Sequence, residues 1–109
     1  MWKRVCRRDE VPANGMKEFA LDGASKVLIV SAGAECFAYQ AMCPHEAVPL
    51  EQGIHDGLVM TCLEHMWQFD VRTGAPLGDA DVGLTGYRLK EEAGDLHVWL
   101  GDSAPRATE

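Results

Sequence analysis

Two short segments of this chain each combine a cysteine with a histidine, residue types that bind soft and borderline metal ions. They are Cys43-Pro44-His45 and Cys62-Leu63-Glu64-His65, separated by the sixteen residues 46–61. A lone pair of this kind is weak evidence, because buried cysteine often acts as a small apolar residue and histidine as a hydrogen-bonding one. Two pairs in one chain of 109 residues predict a shared site. Its expected ligands are Cys43, His45, Cys62 and His65.

Three interpretations of these pairs are open from the residues alone. In the first, the four side chains are buried and bind nothing. In the second they bind a structural zinc ion, although zinc modules usually pair cysteine with cysteine and occur where the core is too small to fold alone. The third is a Rieske [2Fe-2S] cluster, in which two thiolates bind one iron and two imidazoles bind the other. Each loop would then supply one cysteine and one histidine.

The elements that must position these pairs are short apolar segments separated by turn residues. This pattern is typical of a small all-β domain. Asp22-Gly23 predicts a hairpin turn, and the unbroken apolar run 27–30 predicts a central strand that is buried on both faces. Two of the predicted strands lead directly to the cysteines. The predicted strands are 2–6, 16–21, 26–31, 35–42, 58–61, 66–71, 84–91 and 95–100, with a closing hairpin formed by the last two.

The spacing of the two pairs resembles the ligand pattern of Rieske ferredoxins, and the likeness extends over most of the chain. Residues 38–46 (AYQAMCPHE) and 65–69 (HMWQF) are similar to the ferredoxin component of toluene monooxygenases. The resemblance implies an all-β Rieske fold of small antiparallel sheets with a two-loop cluster-binding subdomain. It also implies one [2Fe-2S] cluster per chain, with Cys43 and Cys62 on the inner iron and His45 and His65 on the outer one.

The resemblance further implies an electron carrier rather than an enzyme. Such a ferredoxin passes single electrons from an NADH-dependent flavin and iron–sulfur reductase to a diiron aromatic hydroxylase. The alternative within the class is the ferredoxin of a Rieske non-haem iron aromatic-ring dioxygenase, and an alternative from another class is a structural zinc-binding interaction module. No nucleophile–base pair, phosphate loop or dinucleotide fingerprint points to catalysis.

The chain departs from the family pattern in two places. Respiratory Rieske proteins carry an additional cysteine in each ligand loop, whereas Cys6 and Cys36 lie well outside both loops. We expect these two to be strand cysteines with no redox role. A third loop that is rich in glycine and proline covers the cluster in many relatives, and the matching residues 78–83 contain no proline.

Length and charge restrict the remaining possibilities. We expect one domain over residues 1–100, with cluster-binding loops at about 42–68, and a flexible tail over 101–109. The net charge of −7, from 17 acidic and 10 basic residues, argues against nucleic acid and anionic membranes as partners and favours a partner with a basic face. Candidate docking residues beside the ligands are Glu46, Glu64 and Trp67.

The first residues lack the apolar run of a signal peptide, and no stretch reaches transmembrane length. Four cysteines without such a signal are more typical of metal binding in a reducing compartment than of disulfides. We therefore expect a cytoplasmic monomer.

Overall fold

The computed structural model of the chain describes residues 2–21, 25–44, 48–63, 66–100 and 106–107. Several predicted features lie outside these residues: the Asp22-Gly23 turn, the two histidines of the ligand pairs, and the two glutamates proposed for docking. Cys43, Cys62 and Trp67 are described.

The expected all-β architecture is confirmed. Three antiparallel sheets carry the fold, and the only helical elements among the described residues are the 3-10 turns Arg8–Glu10 and Leu50–Gln52. No helix in this part of the chain has the length and apolar character needed to cross a membrane. The strands are β1 (Trp2–Arg7), β2 (Met16–Ala20), β3 (Lys26–Ala32), β4 (Glu35–Gln40), β5 (Ile54–His55), β6 (Val59–Thr61), β7 (Gln68–Asp70), β8 (Pro76–Leu77), β9 (Thr85–Tyr87), β10 (Leu89–Glu92), β11 (Asp95–Trp99) and β12 (Arg106–Ala107).

The five-stranded sheet, in the order β12-β9-β4-β3-β2, lies between two hydrophobic cores. Successive side chains of a strand point to opposite faces, so β3 contributes to both cores. Leu28 and Val30 belong to the first core, and Val27 and Ile29 to the second. All four are fully buried, which confirms the prediction of a central strand covered on both faces.

The other two sheets cover these cores on opposite sides. The sheet β5-β6-β7-β8 supplies Met60 and Phe69 to the first core, whereas the sheet β1-β11-β10 supplies Leu96 and Val98 to the second. The molecule therefore has three layers. Cys43 and Cys62 are both members of the first core, so the predicted ligands belong to the layer of the four-stranded sheet.

The segment predicted as one strand over 84–91 is in fact two strands in different sheets. Tyr87 pairs with Ala38 of β4, but Leu89 pairs with Val98 of β11, and the chain crosses between the sheets at Arg88. The apolar pattern does not reveal this crossing, because both halves bury side chains. The hairpin β10–β11 itself forms as expected. The two-residue strands β5 and β8 fall in segments for which no strand was predicted, since two residues are too few to show a period.

Candidate metal centre

The first cysteine lies at the base of a hairpin that extends from β4. Met42 and Pro49 form an antiparallel bridge, and the amide of Cys43 donates a hydrogen bond of 2.9 Å to the carbonyl of Val48. A second bond of 2.9 Å, from the amide of Leu50 to the carbonyl of Ala41, continues the ladder. We call residues 41–50 the first arm. We refer to the sequence between Cys43 and Val48, residues 44–47, as its tip sequence.

The second cysteine occupies the equivalent place in a hairpin built from β6 and β7. Thr61 pairs with Gln68, and the amide of Cys62 donates to the carbonyl of Trp67 at 2.8 Å. We call residues 61–68 the second arm. We refer to the sequence between Cys62 and Trp67, residues 63–66, as its tip sequence. In both arms the cysteine amide bonds the carbonyl five residues further along the chain. The two arms thus share one design, with a cysteine at the base and a histidine in the tip sequence.

Both cysteine side chains are buried. Cys43 is 4% exposed and Cys62 is 1% exposed, and neither forms a disulfide. Because they belong to the same core, the arms bring two soft sulfur donors into one buried region. This donor set, together with one histidine in each tip sequence, fits a [2Fe-2S] cluster in which the two irons have different ligands. The described residues contain no group of three or more histidine, cysteine or acidic side chains able to hold a metal ion, and the histidines of the two pairs lie outside them.

Side-chain hydrogen bonds attach the first arm to the five-stranded sheet. The side-chain nitrogen of Gln40 donates a hydrogen bond of 2.7 Å to the carbonyl of Met42. Its side-chain oxygen accepts a hydrogen bond of 2.8 Å from the backbone amide of Thr85. Gln40 therefore connects the residue before Cys43 to β9. On the other side of the arm, Glu51 accepts the backbone amide of Glu18 in β2 at 2.8 Å. The first arm is thus held at both of its ends.

Tyr39 attaches the second arm. Its buried hydroxyl donates a hydrogen bond of 2.7 Å to the carbonyl of Val71, one residue after β7. The ring passes close to Gly74, which has a φ of +77° and where a Cβ atom would lie 3.0 Å from the ring. Only glycine adopts this conformation without cost and leaves room for the ring. The base of the second arm is consequently fixed to β4.

The segment that follows the first arm approaches the backbone of the second arm closely. A Cβ atom on Gly53, just after the first arm, would lie 2.2 Å from the carbonyl oxygen of Thr61, which precedes Cys62. Such a separation is far inside van der Waals contact. Glycine at this position therefore allows these two backbone segments to approach closely, next to the pairing of Ile54 with Thr61.

The third loop packs against the same core as the cysteines. Ala80 is 9% exposed and belongs to the first core, and its amide donates to the carbonyl of Leu77 at 3.1 Å. Val82, two residues on, is 53% exposed. Although the loop lacks proline, a small buried alanine anchors it beside the arms.

The remaining cysteines and the described histidines belong to other surroundings. Cys6 and Cys36 are part of the second core. Burial raises the pKa of the Cys6 thiol to about 11, with Glu10 adding to the effect, and burial also raises the pKa of Cys36. His55 lies 3.2 Å from the carbonyl of Gly15 and accepts the amide of Gly57 at 3.0 Å. These contacts give His55 a structural role.

The described docking candidate, Trp67, is a packing residue in large part. It is half-buried against the first core and contacts Phe69 edge-on, with 6.3 Å between ring centroids. The residue before it, Met66, was not among the docking candidates chosen from the sequence. Met66 is 60% exposed and has a φ of +58°, the left-handed region that favours glycine. No compositional signal marks this strain.

Charge is distributed unevenly along the chain. Residues 42–83 contain seven acidic residues and one basic residue. The basic residue, Arg72, already forms an ion pair with Glu35. The part of the chain that carries both arms is therefore strongly negative. The acidic residues are Glu46, Glu51, Asp56, Glu64, Asp70, Asp79 and Asp81.

A three-layer β domain with a buried thiol at the base of each of two matched arms has the architecture of a small iron–sulfur electron carrier. The chain belongs to the Rieske [2Fe-2S] domain family, whose model matches residues 1–83. Its cofactor is therefore a Rieske [2Fe-2S] cluster.

Individual relatives place the chain among ferredoxins. It is 37% identical over 96 residues to the alkene monooxygenase ferredoxin component of Xanthobacter autotrophicus, covering 86% of this chain and 77% of the relative. It is 29% identical over 102 residues to the methanesulfonate monooxygenase ferredoxin subunit of Methylosulfonomonas methylovora, covering 93% and 82%. The solved ferredoxin of carbazole 1,9a-dioxygenase from Nocardioides aromaticivorans superposes with a TM-score of 0.80 and 28% identity, covering 90% of this chain and 96% of that one.

These relatives confirm three expectations drawn from the sequence: the Rieske ferredoxin class, the [2Fe-2S] cofactor, and an electron carrier rather than an enzyme. Their names do not specify a toluene monooxygenase system.

Proposed function

We propose that this ferredoxin passes single electrons from an NADH-dependent flavin and iron–sulfur reductase to a diiron hydroxylase, with Cys43, His45, Cys62 and His65 as the cluster ligands. The observation that carries the proposal is the matched pair of arms. Each arm buries one thiol in the first core and has one histidine in its tip sequence. When bound, the cluster supplies a reversible one-electron couple.

The chain's own residues have to hold the ligands rigidly and direct electron exchange to one side. Cys43 and Cys62 are almost inaccessible, so we assign them to the inner iron, with His45 and His65 on the outer iron. Gln40, Tyr39 and the contact at Gly53 restrict movement of the arm bases. A rigid ligand frame favours electron transfer, since little has to rearrange when the charge changes.

The partner assignment is supported by the relatives' names. The alkene and methanesulfonate relatives are components of monooxygenase systems. The similarity of residues 38–46 and 65–69 to toluene monooxygenase ferredoxins narrows the proposed acceptor to a diiron aromatic hydroxylase. A second candidate acceptor is an aromatic-ring dioxygenase, which is favoured by the likeness to the carbazole dioxygenase ferredoxin.

Reconstitution tests the proposal. The ferredoxin would be combined with a reductase and, in parallel, with toluene monooxygenase hydroxylase, alkene monooxygenase and a ring dioxygenase. Because NADH supplies two electrons, each product molecule requires two one-electron transfers by the ferredoxin. We expect NADH consumption coupled to product with a diiron hydroxylase. Turnover with the ring dioxygenase alone would favour the second candidate, and no turnover with any of them would refute the oxygenase role.

The ligand assignment is tested on the same samples. Cys43→Ser and Cys62→Ser should lose the cluster's visible absorption and all turnover. Cys36→Ser is the matched control, because Cys36 lies in the second core and should retain both.

A further inference from the structure

The peptide unit that leads into Cys43 is held at both of its polar groups. Its carbonyl, which belongs to Met42, accepts a hydrogen bond of 2.7 Å from the side-chain nitrogen of Gln40. Its N–H group, which belongs to Cys43, donates a hydrogen bond of 2.9 Å to the carbonyl of Val48. A peptide plane can turn relative to the residue that follows it only through that residue's φ. Fixing this plane therefore restricts the direction in which the Cys43 thiol points.

The second arm holds the corresponding peptide unit by strand pairing instead. Thr61, which precedes the cysteine there, lies in β6 between β5 and β7 of the four-stranded sheet. Met42 has an isolated bridge to Pro49 on one side, but on the other side the described pairing of β9 with β4 reaches only Tyr39. The side chain of Gln40 therefore supplies the donor that a neighbouring strand would otherwise provide.

The other end of the Gln40 carboxamide is fixed as well. Its Oε1 accepts a hydrogen bond of 2.8 Å from the backbone N–H of Thr85, the first residue of β9. Because an N–H group only donates and a carbonyl only accepts, these two contacts define the orientation of the carboxamide. A glutamate of the same shape would keep the acceptor for Thr85 but would place a carboxylate oxygen against the Met42 carbonyl. Of these two side chains, only glutamine satisfies both contacts.

We propose that Gln40 is a positioning residue for the cluster, because it orients the peptide unit before Cys43 and so fixes the thiolate that binds the inner iron. The inference rests on the proposed function, which assigns Cys43 as a ligand. Groups that orient metal ligands through hydrogen bonds change metal affinity by about 10- to 100-fold when they are substituted. Gln40 lies outside the ligand set, so its substitution should change how firmly the cluster is held and leave the ligands themselves unchanged.

The rate of cluster loss tests this role. The iron-loaded ferredoxin is mixed with excess EDTA, and the decay of its visible absorption is followed. At pH 8 Gln40→Glu should lose the cluster about tenfold faster than wild type, and the g values of its reduced form should shift. A protonated carboxyl group regains an O–H donor for the Met42 carbonyl. The ratio of the variant's rate to the wild-type rate should therefore fall as the pH is lowered from about 8 to about 5.5, a range that lysine and tyrosine side chains such as Lys26 and Tyr87 beside Gln40 do not titrate in.

Gln68→Glu is the matched control. Gln68 lies at the base of the second arm, and its side-chain nitrogen donates a hydrogen bond of 3.3 Å to the hydroxyl of Thr61. A hydroxyl can turn and donate to a carboxylate, so this substitution adds the same charge without opposing a carbonyl. It should keep the wild-type loss rate and g values. Gln40→Met removes both hydrogen bonds without adding charge, so it should lose the cluster faster than wild type by a ratio that does not depend on pH, and it carries the test if Gln40→Glu does not fold.

Loss rates within about twofold of wild type for both Gln40 variants would overturn the positioning role, as would an equal acceleration in Gln68→Glu. A folded Gln40→Glu protein whose rate ratio stays constant with pH would overturn it too, because the missing donor would then not be the cause. Retention of the wild-type cluster by Cys43→Ser would instead refute the ligand assignment of the proposed function, so the two failures can be distinguished.

Discussion

The hydrogen bond between Tyr39 and Val71 is the clearest single connection between the second arm and the rest of the protein. Tyr39 is 2% exposed, and its hydroxyl lies 2.7 Å from the carbonyl oxygen that it donates to. Burial also raises the pKa of this hydroxyl, so it remains a neutral donor throughout the physiological range. Tyr39→Phe removes the donor and keeps the ring that packs beside Gly74.

The expected loss of stability follows from the lost hydrogen bond and from the carbonyl of Val71 that loses its donor. Loss of a neutral hydrogen bond and desolvation of the abandoned carbonyl together cost about 1–2 kcal/mol. The entropy of unfolding is roughly 2.1 cal/mol/K per residue, which is about 230 cal/mol/K for this chain. The melting temperature should therefore fall by about 4–9 °C.

Thermal unfolding followed by circular dichroism, at matched cluster content, measures this change. Tyr87→Phe is the control, because Tyr87 is half-buried and no hydrogen bond of its hydroxyl is found among the described residues. Its melting temperature should change by less than 2 °C, a difference of under about 0.5 kcal/mol. An unchanged melting temperature for Tyr39→Phe would show that the hydroxyl does not secure the arm.

Three other predictions follow from the arms and the second core. Gly53→Ala places a Cβ atom 2.2 Å from the carbonyl of Thr61, so it should lower stability by several kcal/mol and reduce cluster content. Gly86→Ala, where the nearest atoms to a Cβ would lie at an ordinary 3.5 Å, is the control. Burial raises the pKa of Cys6 to about 11 in the folded protein, so the Cys6 thiol of the unfolded chain loses its proton at a lower pH. The free energy of unfolding should therefore fall by up to about 1.4 kcal/mol per pH unit above pH 9. Urea unfolding from pH 8 to 10 should show a shallower alkaline loss in Cys6→Ala, and identical slopes would contradict the cause given. The midpoint potential should lie near the low end of the Rieske range of about −150 to +300 mV, because no serine or tyrosine follows Cys62 in the second arm, and a value above about +100 mV would contradict this.

Much of the fold could be predicted from the sequence because its signals are local. The apolar run 27–30 indicated a doubly buried strand, and the alternation of side chains along the predicted strand 35–42 indicates one face with Phe37 and Tyr39 and another with Cys36 and Ala38. The cores confirm both expectations. The crossing at Arg88 could not be predicted, because the choice of sheet depends on which distant strand, β4 or β11, is available for pairing.

The ligand chemistry of the site could be predicted from the sequence, but two structural features around the arms could not. The cysteine–histidine spacing and its resemblance to Rieske ferredoxins predicted the cluster, because two thiolates and two imidazoles are the ligands that such a cluster requires. The strain at Met66 depends on the turn of the second arm, and no residue type reports it. The close approach at Gly53 likewise arises only when the segment after the first arm packs against the second arm. The domain limit at residue 100 and the flexible tail remain predictions, although Arg106 and Ala107 pair with β9.

The most direct test of the cluster assignment is spectroscopy of the purified, iron-loaded protein. Mössbauer spectra of the reduced form should show two inequivalent irons, a ferric one with sulfur ligands and a ferrous one with nitrogen ligands, together with a rhombic Rieske-type electron paramagnetic resonance signal. His45→Cys or His65→Cys should alter the ferrous site. A colourless, redox-silent protein containing zinc, or two irons with equivalent sulfur ligands, would contradict the assignment of Cys43, His45, Cys62 and His65.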